Sequence, residues 1–186
     1  MTVGILGLGL IGGSLARAYK LAGHTVYVKN RDERMLSFAM LSGAVDGKLN
    51  EDTIPQCDLI LLAIYPAGSA DWLEANAPLI SKRALVIDCC GTKQLVCQRC
   101  FPIAKEYGFI FVGGHPMAGS QFSGFKYSRA SLFQGAPMVL VPPVYDDMAL
   151  LQRVKDALEP CGFGFFSVTT AADHDRMIAF TSQMPH

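Results

Sequence analysis

The sequence has no surplus of charge of either sign. Sixteen lysines and arginines are matched by sixteen aspartates and glutamates, so the formal net charge is zero. A protein whose main partner is nucleic acid or an anionic membrane usually carries a basic surplus. We therefore expect neither partner, and any basic site must be local.

Long apolar runs are also absent. The longest, Leu59–Ile64, has the length of a buried strand and falls far short of the roughly 18 residues that a membrane-spanning helix needs. No positive charge precedes the apolar N-terminus, which argues against a secretory leader, although Ala16-Arg17-Ala18 resembles a cleavage site. We expect a protein that does not enter the membrane.

The six cysteines lack the secretory context in which a disulfide framework forms. They indicate reduced thiols and hence a cytoplasmic protein. Cys97-x-x-Cys100, near Cys89-Cys90, leaves open a thiolate zinc site, but adjacent cysteines at the end of a strand rarely present both sulfurs to one ion. We expect packing roles for these thiols and no metal.

Apolar strand-like runs and helix-like stretches alternate along the chain, with no internal repeat and no low-complexity linker. The strands are expected at Val3–Leu6, Thr25–Val28, Leu59–Ile64, Ala84–Asp88, Phe109–Val112, Met138–Val141 and, at the end, Phe165–Val168. The helices are expected at Ile11–Leu21, Glu33–Ser42, Ala70–Ala77, Lys93–Tyr107 and Asp146–Glu159. Continuously apolar strands suit burial on both faces. The pattern predicts an α/β fold of the doubly wound Rossmann type, with a mostly parallel sheet and helices on both faces.

The end of the chain predicts one more helix, Ala171–Met184, followed by Pro185-His186. A closing helix seldom ends in this way. We therefore expect a Rossmann domain over residues 1–169 and, in residues 170–186, the start of a helical C-terminal domain of which the rest is missing.

A glycine-rich turn joins the first strand to the first helix. Its G-x-G-x-x-G residues are Gly7, Leu8, Gly9, Leu10, Ile11 and Gly12. Gly7 can make the tight turn, Gly9 leaves room for a pyrophosphate, and Gly12 lets the helix pack close to the strand. The free N–H groups of the helix N-terminus suit the same anion. This pattern predicts a dinucleotide site, and a glycine-rich packing turn without a ligand is the alternative.

The residues after the second strand bear on the choice of cofactor. NAD-binding chains usually place a carboxylate here for the ribose 2′-hydroxyl. Asn30-Arg31 favours a 2′-phosphate instead, because a guanidinium makes charge-assisted hydrogen bonds to it. We expect NADP, with NAD still possible because Asp32 could reach the ribose. Alternatively, Arg31 stacks on adenine or lies in solvent.

Three further loops follow strands and should line the ligand crevice. Tyr65-Pro66 and the segment Asp88–Lys93 are expected at the nicotinamide end. Lys93 could hold a substrate carboxylate, donate to a backbone carbonyl, or lie in water. In the loop Gly113–Gly124, His115 stands between Gly-Gly and Pro, which predicts a constrained catalytic acid or base. Ser120, Gln121 and Ser123 offer hydrogen-bonding groups nearby.

Three segments in order resemble the prephenate/arogenate dehydrogenases of tyrosine biosynthesis. They are Gly7–Ala16, the loop His115–Ser120 with Ser123-Gly124, and the helix from His174-Asp175 through Ser182–His186. The resemblance implies oxidative decarboxylation of a small cyclohexadienyl substrate, prephenate or arogenate, with hydride transfer to NAD(P)⁺. His115 would take the proton of the ring hydroxyl.

The same resemblance implies further roles. His186 would lie near the substrate, and the full-length enzyme would be a homodimer formed by its C-terminal domain. A serine that is common in the family and shares the substrate hydroxyl with the histidine is matched here by Gly91, so either Thr92 or a water takes its place or the hydrogen bond is lost. Gln121 replaces a frequent Glu, and Gln183 a frequent His. The 186 residues alone should bind the cofactor but turn over poorly or not at all.

Two other functions stay open from the sequence. One is an NADP-dependent dehydrogenase with a different small substrate, such as a 3-hydroxyacid or an imine, although such enzymes usually use a lysine of a later helical domain. The other is a nucleotide-sensing module without catalysis, which the Gly91 departure suggests.

Overall fold

The fold is built on one eight-stranded sheet. The computed structural model describes residues 1–183. The strands are β1 (Thr2–Leu6), β2 (Thr25–Lys29), β3 (Gly47–Lys48), β4 (Leu59–Leu62), β5 (Leu85–Asp88), β6 (Ile110–Pro116), β7 (Pro137–Val141) and β8 (Phe165–Val168). Their order across the sheet is β3-β2-β1-β4-β5-β6-β7-β8. All seven predicted strands are present, and the two-residue β3 is additional.

The sheet changes direction once. Strands β1 to β6 pair in parallel with their neighbours, whereas β6 and β7 pair antiparallel, with His115 opposite Val139. Strands β7 and β8 are parallel to each other. Parallel neighbours need a crossover, usually a helix, but only a short 3₁₀ turn at Phe125–Tyr127 separates β6 from β7. The predicted mostly parallel sheet is confirmed, with β6 and β7 as its one antiparallel pair within residues 1–183.

Within residues 1–183, six helices connect or follow the strands. They are α1 (Leu10–Leu21), α2 (Glu33–Leu41), α3 (Pro66–Asn76), α4 (Gln94–Tyr107), α5 (Met148–Ala157) and α6 (Ala171–Gln183). Side-chain caps define two starts, because Asp32 accepts hydrogen bonds from two backbone N–H groups of α2 and Asp147 accepts one from α5. Helix α3 begins at Pro66, earlier than the predicted Ala70, since proline suits the first helical position.

Both faces of the sheet are buried. Within β4, Leu59 and Leu61 belong to one apolar cluster, while Ile60 and Leu62 belong to another on the opposite face. Alternate residues of a strand point to opposite faces, so helices must cover both sides. This confirms the doubly wound arrangement and explains why β4 is apolar at every position.

The strand order reverses between β1 and β4. From β1 the chain proceeds outward through β2 to β3 and then returns to β4 on the other side. In such sheets the loops that leave the carboxyl ends of the strands diverge at the reversal and form a crevice there. The candidate site lies at this edge.

Candidate active site

A crevice of about 440 Å³ lies at the carboxyl ends of β1, β4 and β5. Its walls come from the glycine turn, the end of β2, the β4–α3 loop and the segment after β5. The lining residues are Gly7, Leu8, Gly9, Ile11, Asn30, Ala63, Ile64, Tyr65, Pro66, Cys89, Cys90 and Gly91. The structure thus brings together most of the residues predicted to hold the cofactor.

The three motif glycines are suited to their positions for different geometric reasons. Gly7 has a φ of 96°, and a Cβ there would lie 2.6 Å from the Ala63 carbonyl oxygen. At Gly12 a Cβ would lie 2.0 Å from the Gly7 carbonyl oxygen, so α1 packs against the turn without room for a side chain. A Cβ at Gly9 would meet no atom within 4 Å. Gly7 and Gly12 therefore shape the turn, whereas Gly9 keeps the crevice open.

The N-terminus of α1 faces this space. Gly9 occupies the N-cap position and has no side chain that could accept hydrogen bonds from the first N–H groups of the helix. Leu10 and Ile11 form the first turn of α1. Such a terminus binds anions, and this one fits a pyrophosphate group.

The polar residues after β2 have distinct partners. Asn30 accepts a hydrogen bond from the Leu8 N–H through Oδ1 at 3.1 Å and donates through Nδ2 to the Asp32 carbonyl. The Asp32 carboxylate caps α2 by accepting from the N–H groups of Arg34 and Met35. Arg31 is exposed and makes no hydrogen bond or ion pair within residues 1–183. Asn30 thus ties the glycine turn to β2, and Arg31 is the side chain free to meet a ligand.

Lys93 lies elsewhere than predicted. Its side chain is fully buried, and its ammonium pairs with the equally buried carboxylate of Asp88 at the end of β5. Asp88 also accepts hydrogen bonds from the N–H groups of Cys90 and Gly114. Burial raises the pKa of the Asp88 carboxyl, and Lys93 and the two N–H groups oppose that rise. The prediction that Lys93 contacts substrate does not fit this geometry, because its ammonium is buried in the pair with Asp88. This pair connects α4 to β5 and, through the Gly114 N–H, to β6.

His115 lies on β6 and not in a loop. The strand extends through Pro116, and no non-glycine residue within 1–183 has a positive φ, so the expected backbone strain is absent. The preceding glycines serve close packing: a Cβ on Gly114 would lie 2.6 Å from the Asp88 carbonyl oxygen, and one on Gly113 2.7 Å from the Cys97 sulfur. Because these glycines have no side chains, β6 packs closely on β5 and α4, which places the half-buried His115 on the strand next to the crevice wall.

His115 is joined to α6 by two hydrogen bonds in series. Its Nδ1 lies 2.8 Å from Nε2 of His174, and Nδ1 of His174 lies 2.8 Å from Oδ1 of Asp175. His174 is completely buried. Asp175 also accepts from the N–H groups of Lys93 and Gln94 at the start of α4. The imidazole is therefore anchored through one ring nitrogen.

The surroundings keep the His115 ring uncharged. Burial, followed by the proximity of His174 and Lys93, lowers the pKa of His115 to about 4, although Asp175 opposes the change. At neutral pH the imidazole is consequently neutral and can accept a proton.

The remaining predicted site residues are exposed or lie outside the described part. Thr92, Ser120 and Gln121 are exposed, and the Ser120 hydroxyl accepts a hydrogen bond from the Phe122 N–H. His186 lies beyond the described residues. Sequence reasoning assigned no role to His174 and Asp175, although it singled out their segment, and it gave no role to Asp88 at the end of a predicted strand.

The cysteines are mostly packed as buried thiols. All six are free, and burial raises the pKa of Cys90, Cys97 and Cys100 to about 12, so these thiols stay protonated. Within residues 1–183 no group of three His, Cys, Asp or Glu side chains is arranged to hold a metal ion. In the same range, no helix has both the length and the apolar composition that crossing a bilayer requires.

An anion-binding helix terminus at the strand reversal, beside a neutral imidazole, defines a dinucleotide-binding domain of the dehydrogenase class. The profile of the prephenate dehydrogenase nucleotide-binding domain matches residues 15–166, well over half of the chain. The chain belongs to the prephenate dehydrogenase family.

Curated relatives align with nearly the whole chain. The cyclohexadienyl dehydrogenase of Zymomonas mobilis is 29% identical over 188 residues, which covers 99% of this chain and 63% of the relative. The prephenate dehydrogenase of Bacillus subtilis is 28% identical, with 100% and 51% covered. The chain thus spans between half and two thirds of the length of these relatives.

Solved structures give the same assignment. Synechocystis arogenate dehydrogenase superposes with a TM-score of 0.86 at 31% identity, over 98% of this chain and 64% of the other. Prephenate dehydrogenase from A. aeolicus, in complex with hydroxyphenyl propionate and NAD⁺, gives 0.81 at 27% identity over 95% and 62%. An imine reductase from Streptomyces aurantiacus shares the fold, with a TM-score of 0.72 at 17% identity.

Proposed function

We propose that this chain is the cofactor-binding part of an enzyme that oxidatively decarboxylates prephenate or arogenate. Family membership supports the reaction. The observation that carries the proposal is the neutral, anchored imidazole of His115 next to a crevice with a bare helix N-terminus. A base and a dinucleotide site in this relation are what the oxidation of an alcohol carbon requires.

The crevice fits a nicotinamide dinucleotide. The open space beside Gly9 and the uncapped start of α1 would receive the pyrophosphate, and Tyr65 and Pro66 would flank the nicotinamide end. When bound, NAD(P)⁺ supplies the acceptor for the hydride. The residues of the chain orient it and exclude water from one wall.

His115 would act on the ring hydroxyl of the substrate. Its neutral imidazole accepts the hydroxyl proton as the hydride leaves the same carbon, and loss of carbon dioxide then makes the ring aromatic. The proton stays on His115 until it returns to the phenolic oxygen or passes to solvent. Thr92, Ser120, Gln121 and His186 remain proposed substrate contacts, and Lys93 acts at most through Asp88.

The test is product formation by the full-length enzyme that contains these residues. With saturating NADP and either prephenate or arogenate, we expect NADPH and carbon dioxide in equal amounts. The preferred substrate will form NADPH faster. Saturation with NADP but no NADPH from either substrate would contradict the proposal.

We further propose that NADP is preferred over NAD. The Asp32 carboxylate caps α2, and Asn30 is engaged with Leu8, so Arg31 is the free group for a ribose 2′-phosphate. Replacing Arg31 by Ala should weaken NADP binding roughly ten- to hundredfold, because a charge-assisted hydrogen bond is lost. NAD binding should stay unchanged. Calorimetry measures both, and Arg83→Ala is the control, since this exposed arginine precedes β5 at the opposite edge of the sheet.

Domain organisation and assembly are proposals of the same kind. We assign residues 1–169 to the NAD(P)-binding domain and residues 170–186 to the start of a helical domain. The exposed Met177 and Phe180 on α6 support this assignment, because they leave apolar surface for further packing. The complete enzyme would be a homodimer, which light scattering of the full-length protein tests. Free thiols in all six cysteines support a cytoplasmic location.

A further inference from the structure

Helix α6 contributes two side chains that act behind His115. His174 and Asp175 are consecutive, yet they extend a single line of hydrogen bonds from the His115 ring to a carboxylate. The two imidazole rings meet edge to face, with centroids 5.0 Å apart and planes at 68°. Because His174 is fully buried, water does not compete for these bonds.

The direction of the protons follows from the carboxylate end. Burial alone would raise the pKa of Asp175, but hydrogen bonds from His174 and from the N–H groups of Gln94 and Lys93 outweigh it and lower the pKa. An ionised carboxylate only accepts hydrogen bonds, so the proton between the two residues lies on Nδ1 of His174. A neutral imidazole carries one proton, so a neutral His174 ring with its proton on Nδ1 leaves Nε2 as an acceptor.

The same reasoning fixes the His115 ring. Since Nε2 of His174 accepts, Nδ1 of His115 must carry the proton in the 2.8 Å contact between them. The other nitrogen of the neutral His115 ring, Nε2, then has a free lone pair. A ring with its proton on Nε2 would donate to a substrate hydroxyl and could not take its proton.

We propose that His174 and Asp175 are positioning residues, which hold His115 as the Nδ1–H tautomer and thereby make its Nε2 the base. This inference rests on the proposed function only in calling His115 a base. Neither residue touches the reacting atoms. They select the protonated nitrogen, as the carboxylate of a Ser-His-Asp triad does for its histidine.

The hydrogen bonds from His115 through His174 to Asp175 form a relay, and Asp175 also links this relay to the crevice wall. One carboxylate oxygen accepts from Lys93 N and His174, at 2.7 and 2.8 Å, and the other from Gln94 N at 2.9 Å. The N-cap residue of α4 provides no side-chain cap of its own, so Asp175 stabilises that helix start from outside. The segment Cys89–Gly91 lies just before it. The position of α6 therefore sets both the tautomer of His115 and the start of α4.

The test reads the tautomers directly by NMR of the ¹⁵N-histidine-labelled chain at neutral pH, without substrate or cofactor. In the wild type, both His115 and His174 should carry their protons on Nδ1. In Asp175→Ala the acceptor for the Nδ1–H of His174 is lost, so both rings should become mixtures of the two tautomers. Asp173→Ala, an exposed change on the same helix, is the matched control and should alter neither ring.

A proton on Nε2 of His115 in the wild type would overturn the proposal, as would an Asp175→Ala chain that keeps its fold and its wild-type tautomers. If Asp175→Ala does not fold, His174→Leu provides the second test. Without the relay, His115 should show a mixture of tautomers, and an unchanged Nδ1–H pattern would refute the role of His174. Signals are assigned with His115→Asn. Because no turnover is involved, these outcomes are independent of whether the chain oxidises prephenate.

In turnover, loss of the correct tautomer should lower kcat by up to about 10²- to 10⁴-fold, the usual contribution of a general base. The dissociation constant of NADP should not change, because neither residue lines the crevice. A purely structural role would affect binding and turnover together.

Discussion

At the scale of single residues, the chemistry depends on the environment of His115. Partial burial, followed by the proximity of His174 and Lys93, lowers the pKa of the ring and keeps it neutral, whereas an exposed histidine would be partly protonated at pH 6–7. The sequence alone indicated His115 because of its neighbours Gly-Gly and Pro. The actual reason for those glycines is close packing of β6 on β5 and not a strained loop.

The lowered pKa of His115 predicts a pH dependence of stability. The unfolded chain, with an ordinary histidine pKa, binds a proton at higher pH than the folded chain, whose His115 has a pKa of about 4. The free energy of unfolding should therefore fall as pH falls from about 6.5 toward 4. Comparing wild type with His115→Asn in urea at pH 7 and pH 5 isolates this part. Equal pH dependence in both chains would contradict the lowered pKa.

The buried pair of Lys93 and Asp88 predicts a large stability effect. Lys93→Met leaves the Asp88 carboxylate buried without its partner, which should cost about 3–5 kcal/mol of unfolding free energy. Adding Asp88→Asn removes the unpaired charge and should restore part of the loss. Urea unfolding measures both chains. A Lys93→Met chain as stable as wild type would mean that the lysine is not held as the structure has it.

At the scale of elements, two glycines of the turn between β1 and α1 have different roles: Gly12 allows the close packing of α1, whereas Gly9 leaves space for the ligand. Gly12→Ala would push a methyl group against the Gly7 carbonyl, where a Cβ has only 2.0 Å. We expect a loss of about 1–3 kcal/mol or more in unfolding free energy. Thermal or urea unfolding tests this, and an unaltered stability would show that α1 does not pack as described.

Gly9→Ala is the matched variant in the same turn. Its backbone has φ −83°, and no atom lies within 4 Å of the added methyl, so the fold should keep its stability. The methyl would project into the space assigned to the pyrophosphate, and NADP affinity should fall at least about tenfold. Calorimetry is the measurement. Wild-type affinity in this variant would move the cofactor away from the turn.

At the scale of the whole molecule, local patterns carried most of the architecture. Apolar runs of strand length, such as Leu59–Leu62, predict buried strands because a strand buried on both faces must be apolar throughout. The antiparallel direction of β7 could not be predicted from the sequence, since the direction of a strand depends on its connection to the preceding strand and not on its own residues. The two-residue β3 is too short to have a pattern.

The site, too, has a part that the sequence predicts and a part that it does not. The glycine turn and the residues that line the crevice lie in contiguous motifs, which a sequence displays. The contact of His115 with His174 spans 59 positions and exists because α6 packs against the start of α4. Likewise, nothing in the segment Asp88–Lys93 tells that the lysine turns inward. Such features follow from tertiary packing, which local periodicity does not encode.

The central claim is that His115 is the base of an NADP-dependent oxidation. The most direct measurement is single-turnover NADPH formation from prephenate and arogenate by the full-length wild-type enzyme and its His115→Asn variant at saturating NADP. His24→Asn is the control, because His24 lies at the opposite edge of the sheet beside the N-terminal amine. We predict a loss of about 10²-fold or more for His115→Asn with unchanged NADP affinity, and wild-type rates for the control. Equal rates in wild type and His115→Asn would contradict the account.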